Sequence, residues 1–197
     1  MIRAALLLWV SHTLLASSAW SAEDPLLRQA AAAAFPSHKI IESTNEGDLD
    51  GDGRPEIAVS MEVPGGNNQV LVAVFKRDSA QSLRLWTATR PFTNCQHGTE
   101  ISLSKASLSL SCFHSGDGTM LNNFDERFKW RAGALRLVGS DERHDSEILE
   151  QASSRNLLTG EIVERERRPG GAWREERRRD PSLKAGAVPL SEWGGWF

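Results

Sequence analysis

The strongest constraint on the fold is an acidic loop that is followed at once by a strand pattern. Residues 48–56 read Asp-Leu-Asp-Gly-Asp-Gly-Arg-Pro-Glu, with aspartates at every second position. The two intervening glycines allow the chain to turn tightly enough for the three carboxylates to converge. After Pro55, apolar residues recur at every second position from Ile57 to Val63, which is the period of a strand with one buried face. A short extended run at 38–42 precedes the loop, so the pattern predicts a loop that joins two strands.

The residue types in this loop predict a calcium site. Calcium binds six to eight oxygen ligands at about 2.3–2.6 Å, and carboxylates and carbonyls supply such oxygens. The ligands that we predict within the 44–56 loop are the side chains of Asp48, Asp50, Asp52 and Glu56 and the main-chain carbonyl of Arg54. A helix-loop-helix calcium hand does not fit, because its bidentate glutamate would fall at Val59. The alternative is an acidic turn without a metal, in which carboxylates about 5 Å apart would repel by about 1–3 kcal/mol per pair.

The stretch 47–58, which reads Gly-Asp-Leu-Asp-Gly-Asp-Gly-Arg-Pro-Glu-Ile-Ala, resembles the calcium loop of the FG-GAP/VCBS-type repeat. That repeat occurs in integrin-like propellers and in many secreted bacterial proteins, and its members more often carry Asp where Glu56 stands. The resemblance spans one repeat, residues 40–76, and implies a calcium ion held between two strands. More loosely, the whole chain is similar to small secreted bacterial proteins that carry one such loop and whose activity is unknown. A full propeller would need several such loops at a fixed period, and the sequence holds one.

Residues 1–22 are typical of a secretory signal peptide. Arg3 precedes an apolar run and a stretch of small residues, and we predict cleavage after Ala22, with Ala19 as the alternative. The apolar run is too short and too interrupted for a membrane span, and no second apolar span follows it. We therefore expect one exported domain, residues 23–197, in a bacterial periplasm or secreted, and not an integral membrane protein.

The rest of the sequence predicts a mainly β fold with one short N-terminal helix. Asp24 and Pro25 suit the start of a helix that Phe35-Pro36 ends. The later segments predict about ten strands, arranged as an antiparallel sheet or sandwich or as a barrel-like meander. One hairpin has a definite register, since its turn at 132–133 places apolar residues opposite one another. The predicted pairs are Trp130 with Leu135 and Phe128 with Leu137.

The segment 161–179 is rich in arginine and glutamate and predicts a hairpin that turns at 169–171. One register pairs oppositely charged side chains directly across it, and a register shifted by one residue pairs others. The first register pairs Glu166 with Arg174 and Arg165 with Glu175, and the second pairs Arg165 with Glu176 and Glu164 with Arg177. We interpret the hairpin as a self-neutralising sheet edge. The alternative is a surface for an anionic ligand, which the interleaved glutamates would weaken.

The sequence contains two cysteines, Cys95 and Cys112, which predict a disulfide in an exported protein. Each stands two residues before a histidine, His97 and His114 respectively. In strands, residues i and i+2 face the same side, so a zinc or copper site is one alternative, and two free thiols are another.

Function follows from the sequence only in outline. The chain holds no Gly-x-Ser-x-Gly nucleophile motif and no His-Glu-x-x-His metal motif, and its net charge of −3 is near neutral. We expect an exported calcium-binding domain, a non-catalytic binding or structural protein of the bacterial envelope. Its partner would be an envelope protein or a glycan, and not a nucleic acid. The alternative is a periplasmic hydrolase or lyase with a calcium-assisted site.

The aromatic tail, 193–197, either docks on the domain or forms an exposed recognition end.

Overall fold

The computed structural model describes residues 24–43, 47–79, 81–104, 106–115 and 121–196. The predicted signal peptide lies outside the described residues, as do positions 44–46 of the acidic loop. Over the described ranges the chain forms one α-helix, two short 3₁₀ helices and twelve strands. The prediction of a mainly β fold with one short helix is therefore confirmed.

The elements follow one another in chain order from the helix to the aromatic tail. They are α1 (Pro25–Ala34), β1 (Lys39–Ser43), β2 (Ile57–Glu62), β3 (Gln69–Ser79), β4 (Ser82–Ala88), β5 (Phe92–Thr93), β6 (Thr99–Ser104), β7 (Ser107–Ser115), β8 (Leu121–Arg131), β9 (Ala134–Asp145), β10 (Glu150–Asn156), β11 (Glu161–Arg167) and β12 (Arg174–Arg179), followed by 3₁₀ helices at Pro181–Gly186 and Leu190–Glu192.

The strands form two antiparallel sheets. The first has the order β1-β2-β3-β4, with β5 also paired to β3, and the second has the order β12-β11-β10-β9-β8-β7-β6. Within the described residues neither order returns to its first strand, so the sandwich is the predicted arrangement that is observed. Sequential strands joined by short turns explain this meander, because a tight turn returns the chain antiparallel to the strand just completed.

The central strands of the first sheet, β2 and β3, are buried on both faces. The helix begins as predicted, with the Asp24 carboxylate accepting the N–H of Leu26 at 2.8 Å, and packs Leu27 on one face of the sheet. The other face packs against the second sheet. The expectation that β2 has one buried face was wrong, since every residue from Ile57 to Met61 is buried. Small side chains at Ala58 and at Ser60 alternate with large ones; Ala58 packs in the core between the sheets, and Ser60 is 3% exposed.

The second sheet changes character along its width. Its β8–β9 hairpin has the predicted register, with Phe128 opposite Leu137 and Trp130 opposite Leu135, and it supplies much of the core between the sheets. The strands at its β12 edge are polar, and all of β12 is exposed.

The aromatic tail is docked on the domain. Trp193 is 1% exposed and packs in the core between the two sheets. Phe197 lies outside the described residues. Among the helices of the described ranges, none combines the length and the apolar character that crossing a membrane requires.

Cys95 and Cys112 form a disulfide, with their Cα atoms 5.5 Å apart. It ties the loop between β5 and β6 to β7. Of the three alternatives, the predicted disulfide is the one that the structure shows. The neighbouring histidines have other contacts, with His114 Nε2 3.2 Å from Cys112 Sγ and His97 Nε2 3.0 Å from Ser115 Oγ.

Candidate metal centre

The acidic loop lies between β1 and β2, at a place where the two sheets meet. Gly47 and Glu56 close it with two backbone hydrogen bonds, N···O 3.1 and 2.9 Å. Between them, the side chain of Leu49 is fully buried in the core that the two sheets share. The carbonyl of Asp48 accepts the N–H of Ala106, at the turn between β6 and β7, at 2.9 Å. The loop is therefore fixed to both sheets.

The aspartate at the start of the loop sets its conformation. Asp48 accepts the backbone N–H of Gly51 through Oδ1 at 2.7 Å and that of Gly53 through Oδ2 at 3.1 Å. Both glycines have positive φ, 81° and 82°, a region that favours glycine because it has no Cβ. The alternation of aspartate and glycine in the sequence thus has a direct structural cause.

The three aspartates converge as predicted. One carboxylate oxygen of each, from Asp48, Asp50 and Asp52, lies within 4.8 Å of the others. Two oxygens bound to one calcium ion at about 2.3–2.6 Å can be no more than about 5 Å apart, so this spacing fits the ion. Asp50 Oδ1 accepts the N–H of Asp52 at 3.2 Å, and Asp52 Oδ1 accepts that of Arg54 at 2.8 Å. Among the described residues, no backbone N–H donates to the Oδ2 atom of either aspartate.

Glu56 is the feature that separates this cluster from an ordinary acidic turn. Its side chain is 0% exposed, and Oε2 accepts the N–H of Leu49 at 2.6 Å, but Oε1 is buried with no hydrogen-bond partner. The pKa of Glu56 is raised to about 7, chiefly by burial and also by the charges of Asp50 and Asp52, against the opposing effects of the Leu49 N–H and Lys76. A buried carboxylate oxygen without a donor is costly, and a cation would satisfy it.

Lys76, on β3, enters this cluster from 26 residues away in the sequence. Its ammonium contacts Asp50, lies 2.8 Å from Asp52 Oδ2 and 4.0 Å from Glu56 Oε1. Hydrogen bonding to Asp50 and then to Asp52 raises the pKa of Lys76, and the same pairing lowers the pKa of Asp52. Sequence analysis missed this residue, since no local spacing connects it to the loop.

The structure thus brings the three aspartates of the predicted ligand set together, whereas Glu56 is not part of that group. The four carboxylates lie in one closed loop, with Glu56 Oε1 4.0 Å from the ammonium that also contacts two of the aspartates. Arg54 donates its backbone N–H to Asp52 and its guanidinium to the carbonyl of Asp78 at 3.2 Å. The role of the Arg54 carbonyl as a ligand stays a prediction.

The second sheet carries the other charge-rich region. The 161–179 hairpin has the first predicted register, and the one shifted by a residue is wrong. Its side chains pair across the strands, with Arg165 Nε 2.7 Å from Glu175 Oε2 and Arg178 Nη2 3.1 Å from Glu164 Oε1. A cavity of about 650 Å³ lies over this polar part of the sheet and includes His144 in its lining.

A second buried glutamate, Glu126 on β8, was also missed by sequence analysis. It is 2% exposed, accepts the hydroxyl of Ser140 at 3.1 Å, and has one buried oxygen without a partner. Burial raises its pKa to about 8; Ser140 and Arg155 lower the pKa, whereas Asp141 and Asp125 raise it. The sequence carries one signal of this burial, which is the spacing of Glu126. It stands two residues from Phe124 and from Phe128, on the same face of the strand.

The described histidines do not assemble a catalytic group at the acidic loop. His144 contacts Glu142 at 2.7 Å and Asn122, and His38 packs on Phe35. His97 and His114 contact Ser115 and Cys112 respectively, so these contacts of the described histidines lie away from the loop. Comparison with family models, with curated proteins and with solved structures finds no match for this chain.

Proposed function

We propose that this chain is an exported calcium-binding domain of the FG-GAP type, a non-catalytic binding or structural protein of the bacterial envelope. The observation that carries the proposal is the pairing of three converging aspartates with a fully buried glutamate oxygen that has no donor. Carboxylates in this number and spacing match the hard oxygen ligands of calcium.

The place of the loop in the fold supports a conformational role for the ion. Leu49 is buried between the sheets, and Asp48 accepts a hydrogen bond from the turn between β6 and β7. An ion that neutralises the carboxylates would therefore stabilise the junction of both sheets, and not only the loop. The sandwich would then present its surface to a protein or a glycan.

The disulfide supports export, because disulfides persist in oxidising compartments such as the periplasm and the extracellular space. Calcium sites of extracellular modules commonly have dissociation constants of about 10⁻⁴–10⁻³ M, and we expect a value in this range. A hydrolase or lyase with a calcium-assisted site is the less favoured proposal, since the described histidine contacts lie away from the loop.

Thermal unfolding in EDTA, in Mg²⁺ and across a Ca²⁺ titration tests the proposal. We expect the unfolding midpoint to rise with Ca²⁺ and hardly with Mg²⁺, which requires a smaller, more regular octahedral site and retains its water. Asp50→Asn should lose the response. Asp78→Asn, which makes the same change at an exposed aspartate paired with Arg84, is the matched control and should keep it.

A midpoint that is indifferent to both EDTA and calcium in the wild-type protein would overturn the proposal. The loop would then be an acidic turn held together by the protein alone. A response that survives in Asp50→Asn would place the bound ion elsewhere.

A further inference from the structure

Lys76 holds a position that bears directly on how an ion would enter the loop. It follows the buried run 70–75 of β3, and its side chain is only 13% exposed. Its ammonium contacts Asp50, lies 2.8 Å from Asp52 and lies 4.0 Å from the free oxygen of Glu56. Three of the predicted calcium ligands therefore surround a cation that belongs to the chain itself.

We propose that Lys76 is a tethered cation that competes with calcium for the acidic loop, so that calcium binding is an exchange of one cation for another. The inference rests on the proposed function, because it concerns the regulation of the same site. Lys76 would set the calcium concentration at which the loop is loaded, and would hold the loop together below that concentration.

The ammonium of Lys76 and a calcium ion cannot share the same ligands in the loop. A calcium ion bound to Asp52 Oδ2 would lie about 2.3–2.6 Å from that oxygen. Lys76 Nζ lies 2.8 Å from the same oxygen and also contacts Asp50 Oδ2. Two cations on the same pair of oxygens would overlap in space and repel each other. Calcium can therefore use these ligands only after the ammonium has left.

Two of the predicted ligands, Asp48 and Glu56, are positioned by backbone hydrogen bonds and not by Lys76. Asp48 fixes the turn through the N–H groups of Gly51 and Gly53, and Glu56 is fixed by the N–H of Leu49. These are hydrogen bonds within the loop, and they remain when the lysine is replaced. A neutral residue at position 76 would thus leave a preformed set of oxygens with no competing charge.

A displaced Lys76 ammonium would have a partner nearby, the ring of Trp86. Nζ lies 5.4 Å from the centroid of the Trp86 ring, and Trp86 packs on Trp130 with ring centroids 4.6 Å apart. A cation over an indole face is favourable. Lys76 can therefore move from the carboxylates towards this ring without burying an unpaired charge.

Calorimetric titration of calcium into four proteins at one ionic strength tests the inference. They are the wild type, Lys76→Met, Lys76→Arg and the control Lys39→Met, which removes the same charge from an exposed position on β1. We expect Lys76→Met to lower the dissociation constant about tenfold or more, the scale that loss of one close charge–charge contact sets. Lys76→Arg should bind no more tightly than the wild type, and Lys39→Met should match the wild type.

The outcomes separate this inference from the proposed function. Tighter binding in Lys76→Met alone supports the exchange, as does binding in Lys76→Met when the wild type binds no calcium. Equal or weaker binding in Lys76→Met, with a wild type that binds calcium, overturns the exchange and leaves the calcium proposal intact. An absence of binding in every protein overturns both. Lys76→Gln is titrated as a second neutral variant, so that the test still holds if Lys76→Met folds poorly in the absence of calcium.

The exchange can also be tested on the wild-type protein, through the accessibility of the Lys76 amine. Reductive methylation followed by peptide mass spectrometry reports how accessible each lysine amine is. If calcium expels Lys76 from the loop, its methylation should accelerate on addition of calcium while that of Lys39 stays constant. Methylation of Lys76 that is unchanged or slower at saturating calcium would contradict the exchange.

Discussion

The two sheets deal with charged side chains in opposite ways. The loop at the junction of the first sheet concentrates like charges around the buried Glu56, and Lys76 is the cation among them. The second sheet distributes its charges along the strands and pairs them, as Arg165 with Glu175. Its own buried glutamate, Glu126, has a pKa of about 8 and is therefore mainly neutral at pH 7.

This difference teaches what each region requires from outside. A charge that is paired across strands, or neutralised by its own proton, needs no ligand. Several carboxylates held together by backbone hydrogen bonds repel one another, and a cation beside them relieves that repulsion. The charge-dense hairpin is thus explained by its own pairing, whereas the acidic loop has one cation, Lys76, among four carboxylates.

The largest effect should come from Glu126, because its pKa differs most between the folded and the unfolded chain. Burial raises that pKa from 4.5 to about 8. The unfolded chain therefore loses the proton first, and the free energy of unfolding falls as the pH rises between these values, by up to about 1.4 kcal/mol per pH unit. Above about pH 8 the fall should end. Glu126→Gln should remove this contribution and be more stable than the wild type at pH 9.

Urea unfolding of both proteins from pH 4 to pH 9 checks this, with the exposed Glu164→Gln as control. A difference between the wild type and Glu126→Gln that does not change with pH would show that Glu126 is ionised in the folded protein.

Leu49→Ala should give the next largest effect. Leu49 is fully buried between the sheets, although it lies in the acidic loop. Removing a buried leucine side chain costs about 2–5 kcal/mol, and we expect about 3 kcal/mol by urea unfolding. Leu158→Ala, at a leucine that is 37% exposed in a turn of the second sheet, is the matched control. Equal losses in the two variants would mean that the loop is not anchored in the core.

The smallest effect should come from the paired hairpin. Glu164→Gln loses an exposed ion pair with Arg178 and also relieves the repulsion from Glu176, which lies directly opposite on β12. These contributions oppose each other, so the free energy of unfolding should change by less than about 0.5 kcal/mol. A loss several times larger in urea unfolding would show that the hairpin depends on this pair and would weaken the contrast between the sheets.

The comparison also shows how far the sequence alone could predict the structure. Local patterns were sufficient where one turn determines the outcome, as in the register that places Phe128 opposite Leu137. The aspartates could be predicted to converge, since their spacing and the glycines between them act within a few residues. The contacts of Lys76 and the burial of Ser60 arise from packing between distant segments, and a lysine or serine in a strand carries no local signal of it.

Calcium binding to the wild-type chain, measured by calorimetry at neutral pH, tests the central claim most directly. The account predicts one calcium ion per chain, with a dissociation constant of about 10⁻⁴–10⁻³ M and no comparable binding in Asp50→Asn. An absence of calcium binding in the wild type at about 10⁻² M, ten times the upper end of that range, would contradict it. Lys76 would then be the cation that the acidic loop requires.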